Sequence, residues 1–188
     1  MANPNTPIGL KAVRDAGSGK ETGGLNLYYH PASDATALYI GDPVVKNGSA
    51  DAAGVPGCVR AVAAGPITGV VEGFVPDGVT DKAGFGAAST AFYVLVRDDP
   101  SELFEIQENT GIAAADIGLN ANMTIGSGSS YTRRSGVTLD ATTKATTATL
   151  ALKMIGLSPK PKNDFGAYNK VLVRINNHTE SAASAGIA

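Results

Sequence analysis

The stretch AFYVLVRDDPSELFEIQ, residues 91–107, decides the fold class. Its first half, Ala91-Phe92-Tyr93-Val94-Leu95-Val96, is rich in the β-branched and aromatic residues that suit a pleated surface. It lacks clean alternation, so the sequence predicts a strand covered on both faces. Asp98-Asp99-Pro100-Ser101 then breaks the strand, because Pro100 removes a donor and the Asp and Ser side chains bond local amides. Leu103-Phe104-Glu105-Ile106-Gln107 restarts with period two, Phe104 and Ile106 on one side, Glu105 and Gln107 on the other. The expectation is a hairpin-like unit with a tight acidic turn.

Working outward, other segments repeat this grammar. Strands are expected at residues 25–30, 36–40, 44–45, 58–63 and 67–75, the last with a bulge or tight bend at Gly69 and Gly73. Further strands are expected around residues 121–123, then at 147–157 and 170–175. A helical turn or a loop fits 112–118, and a Thr-rich turn is expected after Asp140. Gly-, Pro- and Asp-rich pieces separate these runs, and no period of a repeat architecture is present. The sequence therefore predicts an all-β, single-domain β-sandwich or β-barrel, jelly-roll-like, over residues 25–178. A candidate seam falls in the loop 76–90. Residues 1–24 read as an extended N-terminal arm, and 179–188 as a C-terminal tail. The arm's apolar residues suggest that it docks on its own body or on a neighbour.

Composition narrows the function classes. The chain has 188 residues, 15 Lys+Arg against 17 Asp+Glu, and a formal net charge of −2. That balance gives no basic footprint for nucleic acid and no attraction to an anionic membrane. Glycine accounts for 23 residues, well above the usual ~7%. The single cysteine, Cys58, excludes an internal disulfide and reads as a buried, inert thiol. No apolar run reaches the ~20 residues of a membrane-spanning helix, and residues 1–17 lack the signature of a signal peptide.

The candidate chemical motifs each favour a structural reading. Asp98, Asp99, Glu102 and Glu105 supply four carboxylates, but without the Asp-x-Asp-x-Asp-Gly loop of a calcium site the turn reading is preferred. His30 and His178 each close a strand, lack metal-ligand spacing, and read as surface residues. Gly126-Ser127-Gly128-Ser129-Ser130 and Gly17-Ser18-Gly19-Lys20-Glu21-Thr22 lack the features of a phosphate loop. Arg133-Arg134 is a lone basic doublet without aromatic platforms beside it. The aromatics Tyr28, Tyr39, Phe85, Tyr131 and Tyr168 are scattered along the chain. No catalytic, cofactor or metal residues are assigned, and no enzyme is expected.

Three stretches carry a resemblance: TALYIGDPVV at residues 36–45, RDDPSELFEIQE at 97–108, and LALKMIGLSPKPKNDFGAYNKVLVRINNH at 150–178. In these the chain resembles a family of tailed-bacteriophage head structural proteins, the capsid decoration or cement proteins. The resemblance implies a virion protein, made in the host cytoplasm, that binds the outside of the capsid and bridges major capsid protein subunits. It implies a homo-oligomer, dimer or trimer, on the shell. The expected interface residues are Pro4, Pro7, Ile8, Leu10, Val13 and Ile187. An alternative expectation is a virion-surface β-sandwich that grips a host glycan or surface protein.

Overall fold

A computed structural model describes residues 3–17, 24–78 and 83–187. The described chain is all-β, in two sheets that pack in a sandwich-like arrangement. Strands β2 (Asn26–His30), β3 (Pro43–Ala50), β4 (Pro56–Arg60), β5 (Gly69–Phe74) and β6 (Phe92–Arg97) close into a barrel in the order β2-β4-β3-β5-β6. Strand β6 returns to β2 antiparallel, and β2 pairs with β4 in parallel. Strands β1 (Lys11–Asp15), β7 (Glu102–Gln107), β8 (Asn120–Thr124), β9 (Thr138–Ala145), β10 (Leu152–Leu157) and β11 (Lys170–Ile175) form the second sheet, in the order β1-β7-β11-β10-β8-β9.

The central stretch corrects the hairpin expectation. Strand β6 pairs with β2 and β5, whereas β7 pairs with β1 and β11. The acidic turn is therefore the crossover from barrel to sheet. The coverage of its two strands is also reversed. Strand β6 alternates, with Phe92, Val94 and Val96 in the barrel interior and Tyr93 and Leu95 partly exposed, while β7 is buried at every position. The loop between β5 and β6 joins barrel neighbours, so no boundary between the sheets falls there; its residues 79–82 lie outside the described ones.

Two apolar clusters organise the interior. One fills the barrel: Tyr28, Leu38, Val44, Cys58, Val71, Phe92, Val94 and Val96. The larger one joins Phe104, Ile106, Met123, Leu152, Met154, Val171 and Val173 of the sheet to Ala61, Ile67 and Val70 from the barrel side. Main-chain bonds cross the same seam, Ile67 N–H to Asn177 O at 2.9 Å, Thr179 N–H to Ile67 O at 3.0 Å and Met123 N–H to Ala63 O at 3.1 Å. Barrel and sheet thus share the larger cluster.

Other elements match the sequence reading or depart for identifiable reasons. Strand β5 carries the expected bulge, between Val71 and Gly73. A single 3-10 turn occupies Ala114–Asp116. Residues 36–40 make only isolated bridges, through Leu38 and Ile40. The Thr-rich segment continues β9 instead of turning, as β-branched residues favour. Strand β10 starts only at Leu152, because the Asn176 amide donates to the carbonyls of Ala148 and Leu150 and holds 147–151 as a turn.

Candidate functional site

The termini, where the interface residues were expected, are tied to the body. The Asn3 amide donates to Asp164 O and Ala167 O at 2.9 and 3.0 Å. Gln107 accepts from Thr6 N–H at 2.7 Å and donates to Asn5 Oδ1 at 2.8 Å. Leu10 N–H bonds Gly41 O at 3.0 Å, and Gly41 N–H in turn bonds Val71 O at 2.8 Å. Gly41, at φ +93°, sits so close to the arm that a Cβ would run into Ile8 O. Strand β1 then joins the edge of the sheet beside β7. The described part of the arm is therefore a docked edge element of this chain's own fold, seated on Gly41.

This placement sorts the six interface candidates. Leu10 is buried in the core cluster that barrel and sheet share, so its side chain does not lie on the surface of this chain. Ile8 is half-buried, and Pro4 and Pro7 are exposed. Val13 is 37% and Ile187 70% exposed. The tail runs over the sheet, Gly186 N–H to Thr146 O and Ile187 N–H to Gly118 O, both 2.9 Å, with Ser184 N–H on Asn176 Oδ1 at 3.0 Å. The Ile187 backbone is fixed while its side chain faces solvent.

The acidic segment does not converge on a cation. Asp98 accepts from the Asn26 amide and from Tyr28 Oη, at 2.9 and 2.8 Å. Asp99 caps Ser101 N–H at 2.7 Å. Glu102 lies 3.7 Å from the Arg97 guanidinium in a buried pair. Glu105 accepts from Ser158 Oγ and Lys160 Nζ, both 2.5 Å. Burial works to raise the Glu105 carboxyl, but Lys160 and Ser158 outweigh it and hold it below the usual range. Among the described residues no group of three or more His, Cys, Asp or Glu side chains is set to hold a metal ion.

Both histidines overturn the surface expectation. His30 is fully buried, stacked on Phe92 at a centroid distance of 4.6 Å, with Nδ1–H donating to Cys58 O at 3.2 Å. His178 is buried at the seam between barrel and sheet, its Nδ1 accepting from Glu180 N–H at 2.9 Å. Desolvation pushes both imidazoles below their ordinary pKa, against the pull of Asp34 on His30 and of Glu180 and Asp98 on His178. Cys58 is buried as expected, and burial pushes its thiol up to about 12.

One feature of the surface escaped the sequence reading. Tyr39 and Phe85, 46 residues apart, stack at 5.1 Å with an interplanar angle of 11°. The Tyr39 ring also rests against Gly128, where any Cβ would strike it. The Arg133 side chain lies along Gly84, next to Phe85. Beside this stack is an open cleft of about 280 Å³ lined by Ala35, Thr36, Ala37, Tyr39, Arg60, Ser127 and Gly128. Two of the five scattered aromatics thus come together near Arg133. The legible signal was the glycine-rich loop at 126–128, which permits the close approach. The Gly-Lys segment at 18–22 lies outside the described residues.

No family model, curated protein or solved structure matches this chain.

Proposed function

We propose that this chain is a structural protein of a tailed-bacteriophage virion that binds the outside of the capsid shell and reinforces it. The carrying observation is the pairing of fixed backbone with outward apolar side chains at both termini. Val13 sits at the register break of edge strand β1, between the paired Ala12 and Arg14, and Ile187 on a tail held at Gly118. Anchors already held in place lose little freedom on binding, so a small apolar contact retains more of its burial energy. Repetition over a shell multiplies modest contacts by avidity.

The three stretches that resemble decoration proteins support the same reading. Residues 36–45 hold the seat of the arm at Gly41, 97–108 make the crossover, and 150–178 contain β10 and β11. These are architectural positions, which suits a family likeness in fold and role. On this reading the partner is the major capsid protein, the protein works on the shell as a dimer or trimer, and it resides in the virion after synthesis in the host cytoplasm. It carries out no catalysis and engages neither nucleic acid nor membrane.

The test is co-sedimentation of the purified protein with capsid shells from the phage that encodes it, alongside mass spectrometry of purified virions. The expected result is saturable binding that drops about tenfold or more in an Ile187→Asp, Val13→Asp variant, corresponding to about 1.4 kcal/mol. Virions that lack the polypeptide, or a variant that binds shells as well as the parent, overturn the proposal.

A further inference from the structure

The open cleft beside the Tyr39–Phe85 stack brings a cationic side chain together with several hydroxyl-bearing ones. Its walls come from residues 35–39, from the end of β4 at Arg60, and from the loop at 127–128. Arg60 is half-buried, and among the described residues it enters no ion pair within 4 Å. Asp42 attracts it from longer range. The two carboxylates nearest the cleft in sequence are committed inward. Asp34 accepts from Thr36 N–H at 2.9 Å, and Asp42, fully buried, accepts from Tyr39 N–H at 2.8 Å. The cleft therefore presents a cation, Arg60, together with the hydroxyl-bearing side chains of Thr36, Tyr39 and Ser127.

The shape selects a small, polar occupant. About 280 Å³ lies at the lower end of ligand-site volumes, enough for one sugar ring. Tyr39 is stacked on Phe85 and crowded by Gly128, and it lines the cleft with its phenol as the polar group it can offer. The alanines and Gly128 give a floor without a socket for a large apolar side chain. A guanidinium fork matches a carboxylate in two parallel hydrogen bonds, and hydroxyl groups match sugar hydroxyls as both donors and acceptors.

We infer that this cleft binds the carboxylate of an acidic saccharide unit through Arg60, with Thr36, Tyr39 and Ser127 meeting the ring hydroxyls. Arg133 and Arg134, both exposed on the adjoining loop, extend the positive rim toward further acidic units. The site gives chemical content to the glycan-binding alternative and does not depend on shell binding.

The experiment is titration of the full chain with D-glucuronate, with D-glucose as the neutral counterpart and inorganic phosphate as a second anion, followed by saturation-transfer NMR. The expected result is saturable glucuronate binding with a Kd on the order of 1–10 mM and no saturable binding of glucose. Arg60→Ala weakens glucuronate binding about tenfold or more while thermal unfolding stays unchanged. Arg60→Lys retains only part of the affinity, because an ammonium has no fork. Failure to saturate by about 50 mM, equal binding of glucose, undiminished binding by Arg60→Ala, or saturation by phosphate with glucuronate excluded each overturns the inference. Shell co-sedimentation of Arg60→Ala is expected to match the parent, so this failure and a failure of the capsid reading are separately visible.

Discussion

Strands β6 and β7 are separated by four residues and read alike as apolar β segments, yet they live in different surroundings. Strand β6 is a barrel stave with solvent on one side, so Tyr93 and Leu95 stay partly exposed. Strand β7 is the second strand of the sheet, with core on one face and chain on the other. Alternation would send Glu105 and Gln107 to water, yet both are buried and engaged, and so is Glu102, which shares the parity of Phe104 and Ile106. Glu102 pairs with Arg97, Glu105 binds Ser158 and Lys160, and Gln107 ties down Asn5 and Thr6. A period-two pattern reports which residues are polar; whether they meet water depends on what later lies over the sheet. Here the covering layer is the arm and the 158–160 connection.

Truncation on either side of the turn breaks this comparison most sharply. Phe104→Ala in β7 removes a fully buried ring from the shared core and is expected to destabilise by about 3–5 kcal/mol. Leu95→Ala in β6 removes a partly exposed side chain and is expected to lose about 1 kcal/mol. Urea unfolding of the two variants checks this. Equal losses would mean that the outer face of β6 is covered in solution.

The arm's seat comes next in size. Gly41→Ala places a Cβ against Ile8 O at a φ of +93°, so either the backbone strains or the arm lifts. A strained backbone position costs about 1–3 kcal/mol. If the arm lifts, trypsin cleaves after Lys11 and Arg14 faster in the variant than in the parent, while cleavage elsewhere in the chain keeps the parent's rate. Unchanged cleavage and unchanged stability would show that the arm is not held at Gly41.

The layout of these two regions explains what the sequence could and could not announce. Strand content was legible because alternation and turn residues are local properties: β2, β7, β8 and β11 lie where the pattern placed them. The bulge in β5 followed from Gly73. Pairing was not legible, because two strands joined by four residues can fold onto each other or part into different sheets. Here the buried Arg97–Glu102 pair spans the crossover itself. The cleft was hidden for the same reason: Tyr39, Arg60, Phe85 and Gly128 meet only after barrel closure. The seat at Gly41 lies within a quoted motif, but its reason, an arm arriving from thirty residues upstream, is tertiary.

The smallest expected effect separates the two regions by pH. His30 lies in the barrel core and His178 at the seam, and both are pushed by burial below the ordinary value of 6.5. A group whose folded pKa is depressed binds fewer protons folded than unfolded in the interval between the two values. The neutral-imidazole contribution is therefore complete above pH 6.5 and is lost as pH falls from 6.5 toward the lowered folded value. Glu105, also depressed, loses its contribution only as pH falls below its ordinary 4.5. Asp42 opposes it, because burial raises its carboxyl and folding then favours the protonated form as pH drops. Stability measured by urea unfolding is thus expected to decline between pH 7 and pH 5 on account of the imidazoles, with Asp42 acting in the opposite sense and Glu105 responding only below 4.5. A His30→Gln variant retains only the part of that slope that belongs to His178, and His178→Gln only the part that belongs to His30. If neither variant flattens the slope, the two rings do not titrate in the unfolding equilibrium, and the buried environments assigned to the barrel core and to the seam do not hold in solution.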